Sequence, residues 1–557
     1  MSTFFTMKKN SLFLILILLT AISCGERVDL LVHNAKIYTV NENFDQATAF
    51  VVNDGKFIAV GGEELVKEYN PANTVDAQGL AIFPGFIDAH CHLLGLGLSQ
   101  FKVDLRNTDG VEEVIQKINE YQQTYHQKII QGDGWDQNQW EDKSFPDNKK
   151  LNAAFPDTPV VLERIDGHAY WVNQKAIEMA GIDPNTEVKG GQIVKHKGKL
   201  TGVLVDNAKK LVDKIIPEYS KEDKIKAFVK AQNLCFENGL TTVNEAGLSK
   251  KDIYLIDSLQ KKGAISLRVY AMIANNPADI DHFTRKGILK TDLLNVRSVK
   301  VFADGALGSR GAALKKNYND HKGHYSDLLI SKDSLKRIAE ILLSKSFQMN
   351  THAIGDAANQ AVLEVYNHVL EQTKDPRWRI EHAQVIAPED FKHFNEKIIP
   401  SVQPTHATSD MKWAVDRLGT ERLNGAYAYK DLLDWSGVLA LGTDFPVEDI
   451  NPFKTFYAAV ARKSSEGSKS QKAFLPKNAL SRYEALMGMT RWAAYANFEE
   501  NEKGSIEIGK FADFIILDQD IMKTDIEKIL KTRIVATILN GKIVFSNRLK
   551  HHSDLGF

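Results

Sequence analysis

The chain has 557 residues, of which 43% are hydrophobic, so it can bury a large core and should hold more than one domain; this composition excludes a disordered chain. Its 70 Lys and Arg residues nearly balance its 71 Asp and Glu residues, which gives a formal net charge of -1. The balance excludes any global electrostatic reason to expect nucleic acid or a strongly charged partner, and substrate preference must therefore arise locally.

Residues 1–24 are predicted to be a signal peptide with a lipobox. Lys8 and Lys9 precede an apolar run, residues 12–22, that is too short for a permanent membrane-spanning helix. The run ends at Ala21-Ile22-Ser23-Cys24, which resembles a bacterial lipoprotein box, in which the cysteine becomes the lipidated first residue. We therefore expect an exported lipoprotein of the bacterial cell envelope, anchored to a membrane through a lipid on Cys24 and facing the periplasm or the exterior. The alternatives are an ordinary signal peptide with an incidental cysteine and an uncleaved anchor.

Short β-rich runs occur at both ends of the remaining chain. A hairpin-turn signal, Asn53-Asp54-Gly55-Lys56, lies among the first of them, and similar runs return at 509–517 and 534–544. The sequence therefore predicts one small composite β-sandwich domain from residues 28–80 and 505–548, with a large domain inserted between its two halves.

Apolar strand-like runs alternate with helical patterns throughout residues 81–504, as in a parallel α/β architecture. Eight runs are found, at 80–90, 240–245, 267–273, 298–302, 348–352, 378–382, 398–403 and 438–444. Eight such repeats predict an α/β fold with a closed (β/α)8 TIM barrel. The gap between the first two runs is too long for one helix, so residues from about 105 to 236 are predicted to be an insertion.

The first of these runs ends in His90-Cys91-His92. Alternate side chains of a strand share a face, so His90 and His92 can point together into one site and form half of a site for a divalent metal. A His-x-His pair on its own more often only packs or faces solvent. The pair gains weight from the ends of the later strands.

The active site of a TIM barrel lies at the carboxyl ends of its strands. Here Lys300 lies on the fourth predicted strand, His352 and His382 end the fifth and sixth, and Asp444 ends the eighth. Neutral imidazole and carboxylate groups suit zinc and similar divalent ions, and an open coordination position admits a water whose pKa falls towards neutrality. The strand ends together therefore predict a metal site.

Several longer motifs carry a resemblance to a known family. They are the run from Pro84 to His92, Gly132-Asp133-Gly134-Trp135-Asp136, Arg164-Ile165-Asp166-Gly167-His168-Ala169, Asp304-Gly305-Ala306-Leu307-Gly308-Ser309-Arg310, His352-Ala353-Ile354-Gly355-Asp356, Glu381-His382-Ala383, Gly442-Thr443-Asp444-Phe445-Pro446 and the closing run from Gly504 to Asp513. With these motifs the chain resembles the amidohydrolase superfamily of metal-dependent hydrolases, and more narrowly its amidohydrolase-3 branch, which includes enzymes similar to N-substituted formamide deformylase. The resemblance implies a (β/α)8 barrel with a composite β-sandwich and hydrolysis of amide-like C–N bonds.

The resemblance also implies roles for individual residues. His90 and His92 would bind the more buried metal ion, His352 and His382 a second one, and Asp444 would be both a ligand and the proton shuttle. In two-metal members of the superfamily a lysine on the fourth strand is carboxylated and bridges the ions, which would make Lys300 a ligand. If Lys300 is an ordinary lysine, it would instead pair with Asp304 or another carboxylate, and the site would hold one metal. The expected cofactor is thus one or two divalent ions per chain, with zinc as the expected metal.

The expected reaction is attack of a metal-activated hydroxide on a substrate carbonyl, with Asp444 moving the proton to the departing amine. In the insertion, Trp135, Asp166 and His168 are candidate substrate contacts, although buried tryptophans commonly only pack. His406, just beyond the seventh strand, could orient the substrate carbonyl in place of His168.

The sequence thus predicts an amidohydrolase that cleaves an amide or related C–N bond, other than a peptide bond, in a small molecule. One alternative is dipeptide, acyl-amino-acid or ester hydrolysis at the same site, and another is a surface lipoprotein that binds a ligand without turning it over. No nucleic-acid partner is expected. The sequence does not specify the oligomeric state, so a homo-oligomer is possible.

Overall fold

The computed structural model describes residues 26–466 and 471–547. The predicted signal peptide and Cys24 lie outside these residues, as does residue 548 of the predicted sandwich. None of the helices in the described part of the chain combines the length and apolarity needed to cross a membrane.

Two β-sheets contain strands from both ends of the chain. The strands are β1 (Glu26–His33), β2 (Lys36–Tyr38), β3 (Gln46–Ala47), β4 (Ala49–Asn53), β5 (Lys56–Gly61), β6 (Tyr69–Asp76) and β7 (Ala81–Pro84), followed at the other end by β23 (Phe514–Leu517), β24 (Ile534–Leu539) and β25 (Lys542–Ser546). One sheet has the order β5-β4-β1-β6 and the other β25-β24-β23-β7-β2-β3. Side chains from both sheets, including Phe50, Phe57 and Phe514, share one buried core. The two termini are thereby packed into a single β unit next to the barrel.

Eight parallel strands form the central sheet. They are β8 (Phe86–Cys91), β15 (Leu240–Leu248), β16 (Arg268–Ala274), β18 (Leu294–Phe302), β19 (Gln348–Ala353), β20 (Trp378–His382), β21 (Ile398–Val402) and β22 (Ala440–Leu441). They pair in the order β22-β21-β20-β19-β18-β16-β15-β8, and a short strand, β17 (Leu289–Lys290), pairs with β18. The backbone N–H of Asp444 donates to His90 O over 2.8 Å, and that of His92 donates to Phe445 O over 2.8 Å, which joins the two sheet edges. The predicted (β/α)8 barrel is confirmed.

Helices cover the outside of this sheet. Those associated with the barrel are Leu93–Ser99, Lys221–Glu237, Lys250–Lys261, Pro277–Lys286, Lys332–Ser344, Asp356–Val369, Pro404–Asp410, Ala414–Arg422, Tyr429–Ser436, Pro452–Ala461, Arg482–Gly488 and Arg491–Ala496, while Leu65–Glu68 lies in the β unit. Amphipathic spacing explains the layer, since residues such as Leu335, Ala339 and Leu342 recur on one helix face and are buried. Their apolar faces and the outer faces of the strands make one large core.

The predicted first barrel strand is in fact two strands that belong to different sheets. β7 pairs with β23 in the β unit, whereas β8 pairs with β15 in the barrel. The change occurs at Gly85, where a Cβ atom would collide with the side chain of Thr241. Only glycine fits this close approach, so the chain can pass from one sheet to the other there.

The segment between β8 and β15 forms a sheet of its own. Its strands are β9 (Val103–Asp104), β10 (Ile130–Trp135), β11 (Val160–Arg164), β12 (Ala169–Val172), β13 (Gly191–His196) and β14 (Lys199–Asp206), in the order β13-β14-β12-β11-β10-β9, and its helices are Val111–Tyr125, Lys149–Ala154, Gln174–Ala180 and Lys210–Asp213. Separate apolar clusters lie on its two faces. The helix Lys221–Glu237, most of which lies within the predicted insertion, ends just before β15, and a Cβ atom added at Gly97 of the helix after β8 would overlap the Ala227 backbone.

A buried ion cluster stabilises the end of the barrel opposite the carboxyl ends of the strands. Glu499 is 2% exposed and lies 2.6 Å from Lys290 Nζ and 3.0 Å from Lys503 Nζ. Burial alone would raise the pKa of Glu499, but the two ammonium groups outweigh it and lower this pKa to about 2. Because the folded pKa is depressed, the stabilisation is complete above the ordinary pKa near 4.5 and is lost as pH falls towards about 2.

We expect Glu499→Gln to lower the free energy of unfolding by about 3 kcal/mol at pH 7, because it leaves buried ammonium charge unpaired. Denaturant unfolding at a series of pH values should show the difference from wild type shrinking below pH 4.5. The matched control is Glu502→Gln, which removes a half-exposed partner of the same Lys290 and should cost less than about 1 kcal/mol. Equal effects of the two variants at every pH would contradict this account.

Candidate metal centre

The carboxyl ends of the barrel strands bring together the side chains that the sequence nominates as ligands. His90 lies on β8, Lys300 on β18, His352 on β19 and His382 at the last position of β20, while Asp444 follows β22. Because parallel strands end at the same rim of a barrel, residues separated by more than 300 positions meet there.

Three of these residues form the tightest cluster. One donor atom from each of His90, His382 and Asp444 lies within 4.8 Å of the other two, and all three residues are buried. His90 Nε2 is 3.7 Å from Asp444 Oδ1, and the rings of His90 and His382 are 4.8 Å apart. Two imidazoles and a carboxylate at this spacing can share one divalent ion.

The other three nominated ligands surround this cluster. His92 Nε2 lies 3.3 Å from Asp444 Oδ1, Lys300 Nζ lies 3.1 Å from His90 Nε2, and the His352 ring is 4.6 Å from the His382 ring. Lys300 does not take Asp304 as its partner. The Asp304 carboxylate instead accepts hydrogen bonds from the backbone N–H groups of Ala313, Ile354 and Gly355.

An unusual backbone conformation turns two ligands into the centre. His382 has φ 72° and Asp444 has φ 64°, in the left-handed region that residues other than glycine rarely adopt. Neighbours on a regular strand face opposite sides, so this conformation lets His382 face the centre together with the preceding Glu381. Such local strain persists only where the surrounding structure imposes it, as at functional sites.

Electrostatics keeps the cluster in the protonation states that bind metal. Burial lowers the pKa of His90 to about 4 and lowers those of His352 and His382 well below the ordinary value, so these imidazoles are neutral. Burial would raise the pKa of Asp444, but the imidazoles of His406, His92 and His90 outweigh it and hold the carboxyl well below its usual range. Asp444 Oδ1 faces the imidazoles of His92 and His90, whose Nε2 atoms lie 3.3 and 3.7 Å away. The neutral imidazoles of His90 and His382 beside an ionised carboxylate fit a divalent ion.

A second layer of polar groups orients the histidines. His90 Nδ1 lies 2.5 Å from Glu381 Oε2, which directs Nε2 towards the cluster, and Arg379 Nε lies 2.7 Å from Glu381 Oε1. His382 Nδ1 lies 2.7 Å from Gln403 Oε1. The roles of Glu381, Arg379 and Gln403 were not predicted from the sequence. The signal in the sequence was the alternation of side chains along β20, which places Arg379 and Glu381 on the same face of the strand.

We expect Glu381→Gln to weaken metal binding about 10- to 100-fold, because His90 loses the carboxylate that orients its ring. Competition against a chromogenic chelator would measure the affinity. Glu389→Gln, which changes an exposed carboxylate paired with Lys315 at the surface, is the control and should leave the affinity unchanged. An unaltered affinity in Glu381→Gln would remove Glu381 from this role.

A cavity of about 690 Å³ opens above the cluster, between the barrel rim and the inserted sheet. Asp166, His168 and His406 line it together with His92, Lys300, His352, His382 and Asp444. Phe302, at the end of β18, also lines it and is 39% exposed. The lining is thus mainly polar, with one accessible aromatic ring beside the cluster.

Trp135 is not part of this lining, which corrects its place among the candidate substrate contacts. It is fully buried, its indole N–H donates to Leu162 O over 2.9 Å, and its ring packs 5.9 Å from that of Trp171 in the core of the inserted sheet. The indole of Trp135 therefore packs in an apolar core, as buried tryptophans commonly do, and does not face the cavity.

His168 extends from the insertion towards His352 beside the cluster. Its ring lies 5.3 Å from that of His352, and its Nδ1 is 2.7 Å from Asp206 Oδ1. Burial would lower the pKa of His168, but Asp206 and Asp166 outweigh it and raise this pKa. The Nδ1 atom of His168 is thus engaged by Asp206, and the residue lines the cavity.

Asp166 and His406 have partners of their own. Asp166 accepts a hydrogen bond of 2.5 Å from the buried Arg164. His406 bridges two carboxylates, with Nε2 3.2 Å from Asp444 Oδ2 and Nδ1 2.9 Å from Glu448 Oε1. Burial opposes protonation of His406, but these carboxylates raise its pKa well above the ordinary value. Asp206 and Glu448 were missed in the sequence, where neither stands in a recognisable pattern.

Comparisons with known proteins agree with this geometry. The model of the amidohydrolase family matches residues 73–545. The putative amidohydrolase YtcJ of Bacillus subtilis is 32% identical over 526 residues, covering 92% of this chain and 98% of that protein. N-substituted formamide deformylase of Arthrobacter pascens is 25% identical over 544 residues, covering 92% and 97%. The crystal structure of an uncharacterized metal-dependent hydrolase from Pyrococcus horikoshii aligns with a TM-score of 0.72 and 29% identity, covering 89% of this chain and 99% of that one.

Proposed function

This chain belongs to the amidohydrolase family, and from that membership we propose that it is a metal-dependent hydrolase that cleaves an amide or related C–N bond of a small molecule. The observation that carries the proposal is the buried cluster of His90, His382 and Asp444 at the floor of the cavity. It combines a ligand set for a divalent ion with a carboxylate that can move a proton. A divalent ion in this cluster would supply a Lewis acid and lower the pKa of a bound water towards neutrality.

The residues of the chain then account for the movement of protons. Asp444 is ionised, so it can accept a proton from the attacking water and pass it to the departing amine nitrogen. His406, 3.2 Å from Asp444 Oδ2, holds this carboxylate in place on the side away from His92. His168 donates to the substrate oxygen on which negative charge develops.

The dimensions of the cavity favour a small substrate. Its volume of about 690 Å³ lies in the range of small-molecule sites, and Phe302 offers an apolar surface beside the cluster. The deformylase relative suggests N-substituted formamides as the first compounds to test. An apolar substituent on such an amide could lie against Phe302.

The test is hydrolysis of a panel of small amides by protein of measured metal content. Release of amine from N-substituted formamides or other simple amides would support the proposal. Preferential cleavage of dipeptides, acyl-amino acids or esters would replace the proposed substrate class at the same site. Binding without turnover across the whole panel would instead indicate a ligand-capture protein.

The identity and number of the ions form a finer proposal. We propose zinc, because imidazole and carboxylate donors suit it, and we propose that Lys300 is carboxylated and bridges two ions. Burial lowers the pKa of Lys300 to about 8, although Glu381 and Asp444 oppose this, so a neutral amine able to react with CO2 is accessible near neutral pH. Anomalous diffraction maps would count the ions and show the end of Lys300. One ion beside an unmodified lysine would reduce the site to a single-metal hydrolase.

We also propose that the protein is exported and lipid-anchored through Cys24, on the basis of Lys8, Lys9 and the apolar run that ends at Ala21-Ile22-Ser23-Cys24. Incorporation of a labelled fatty acid that is lost in Cys24→Ser would support this. A water-soluble mature chain without lipid would contradict it. Whether the chain forms a homo-oligomer can be measured by light scattering on the purified protein.

A further inference from the structure

The loop after β18 carries three glycines at intervals of three residues, Gly305, Gly308 and Gly311. None of them has a positive φ, so their backbone does not require glycine. Space does. A Cβ at Gly305 would lie 2.6 Å from Asp206 Oδ1, one at Gly308 would lie 3.0 Å from Arg164 Nη1, and one at Gly311 would overlap Asp206 Oδ2. The glycines therefore admit two charged side chains of the inserted sheet against the barrel.

The Asp206 carboxylate occupies the space beside two of these glycines, Gly305 and Gly311. Asp206 is the last residue of β14, has the uncommon backbone conformation φ 50°, ψ −122°, and its side chain is 7% exposed. Its Oδ1 lies 2.7 Å from His168 Nδ1, and its backbone N–H donates to His168 O over 2.8 Å. One residue thus holds both the ring and the backbone of His168.

The same loop also contacts a ligand of the barrel. His352 Nε2 lies 3.4 Å from Gly305 O and 3.5 Å from Asp304 Oδ1. The Asp304 carboxylate is itself fixed by three backbone N–H groups. The loop of residues 304–311 therefore contacts both His352 of the barrel and Asp206, which is the partner of His168 in the insertion.

We propose that this loop and Asp206 align His168 with the metal centre, and that Asp206 is a positioning residue for hydrolysis. The inference rests on the proposed function and deepens it, since it names what holds the group that orients the substrate carbonyl. The insertion has its own sheet and cores, so its internal packing cannot by itself set the distance from His168 to the barrel. That distance matters because a misplacement of about 1 Å can cost about 100-fold in rate.

The first test is Gly311→Ala. Its Cβ would displace the Asp206 carboxylate and with it the His168 ring, so we expect kcat to fall about 10- to 100-fold with KM and metal content nearly unchanged. Gly110→Ala is the matched control, because Gly110 has an extended φ of 174° and the nearest atom to its added Cβ is 3.9 Å away. The control should keep wild-type kcat.

A double-mutant cycle shows whether the glycine acts through Asp206. Asp206→Ala should lower kcat about 100-fold, because His168 loses its partner. Adding Gly311→Ala to that variant should cost nothing further, since the carboxylate that needed the space is gone. Fully additive losses, or wild-type kcat in Gly311→Ala, would overturn the proposal.

Crystal structures give a readout that does not depend on turnover. In Gly311→Ala the His168 ring should move away from the His352 ring, and in Gly110→Ala it should stay in place. A ring that stays in place in Gly311→Ala would overturn the alignment. Failure of the proposed function would look different, because the wild-type protein would then hydrolyse no amide while its His168 ring was in place.

Discussion

Replacing Asp444 by Asn is expected to reduce kcat by about 100- to 10,000-fold, the range typical of a lost general acid–base group. The amide keeps the shape of the side chain and one oxygen that can still act as a ligand, but it cannot accept the proton of the attacking water. The neighbouring His92 and His406, 3.3 and 3.2 Å from the carboxylate, are both positioned to hold a neutral amide in place. The loss should therefore appear in kcat, with the fold intact.

The measurement is steady-state kinetics on metal-saturated protein, with metal content determined on the same sample. Asp434→Asn is the matched control, because it makes the same chemical change in an exposed carboxylate paired with Lys430. It should leave kcat within about twofold of wild type, as expected for a surface substitution that costs little stability. Near-normal turnover in Asp444→Asn would remove Asp444 from proton transfer, and loss of bound metal in that variant would assign the defect to ligation instead.

Removal of the metal should abolish turnover and destabilise the fold. An ion that binds only the native state stabilises it by about 4 kcal/mol when present at 1,000 times its Kd, so the stripped chain should lose about that much free energy of unfolding. Activity and thermal midpoint, measured before and after treatment with a chelator and again after titration with zinc, test this. The zinc equivalents needed to restore activity count the ions.

His90→Asn and His282→Asn form the matched pair for this experiment. His90 lies in the cluster, whereas His282 bonds Tyr254 Oη at 2.9 Å between two outer helices. Stripped His90→Asn should not regain activity with zinc, and stripped His282→Asn should. Full activity of the chelated wild-type protein would refute a metal-dependent reaction.

The barrel was predictable from the sequence because its signals are local. Apolar runs such as 348–352 and 378–382 follow the alternation of strand and helix, and His352 and His382 stand at their ends. All strands of a parallel barrel end at one rim. A residue that is predicted to end a strand is therefore also predicted to lie near the candidate site. The break at Gly85 could not be read in this way, because it depends on Thr241, a residue from another strand.

The fold class, the family and the six nominated metal ligands were predictable from the sequence, because each depends on short motifs or on periodicity along the chain. The tertiary structure alone decided which side chains face the cavity. It buried Trp135 in the inserted sheet, brought Glu381 to His90 and placed Asp206 against Gly305 and Gly311. The physical reason is that packing and hydrogen bonding between distant segments select the direction in which a side chain points, and no local pattern encodes that choice.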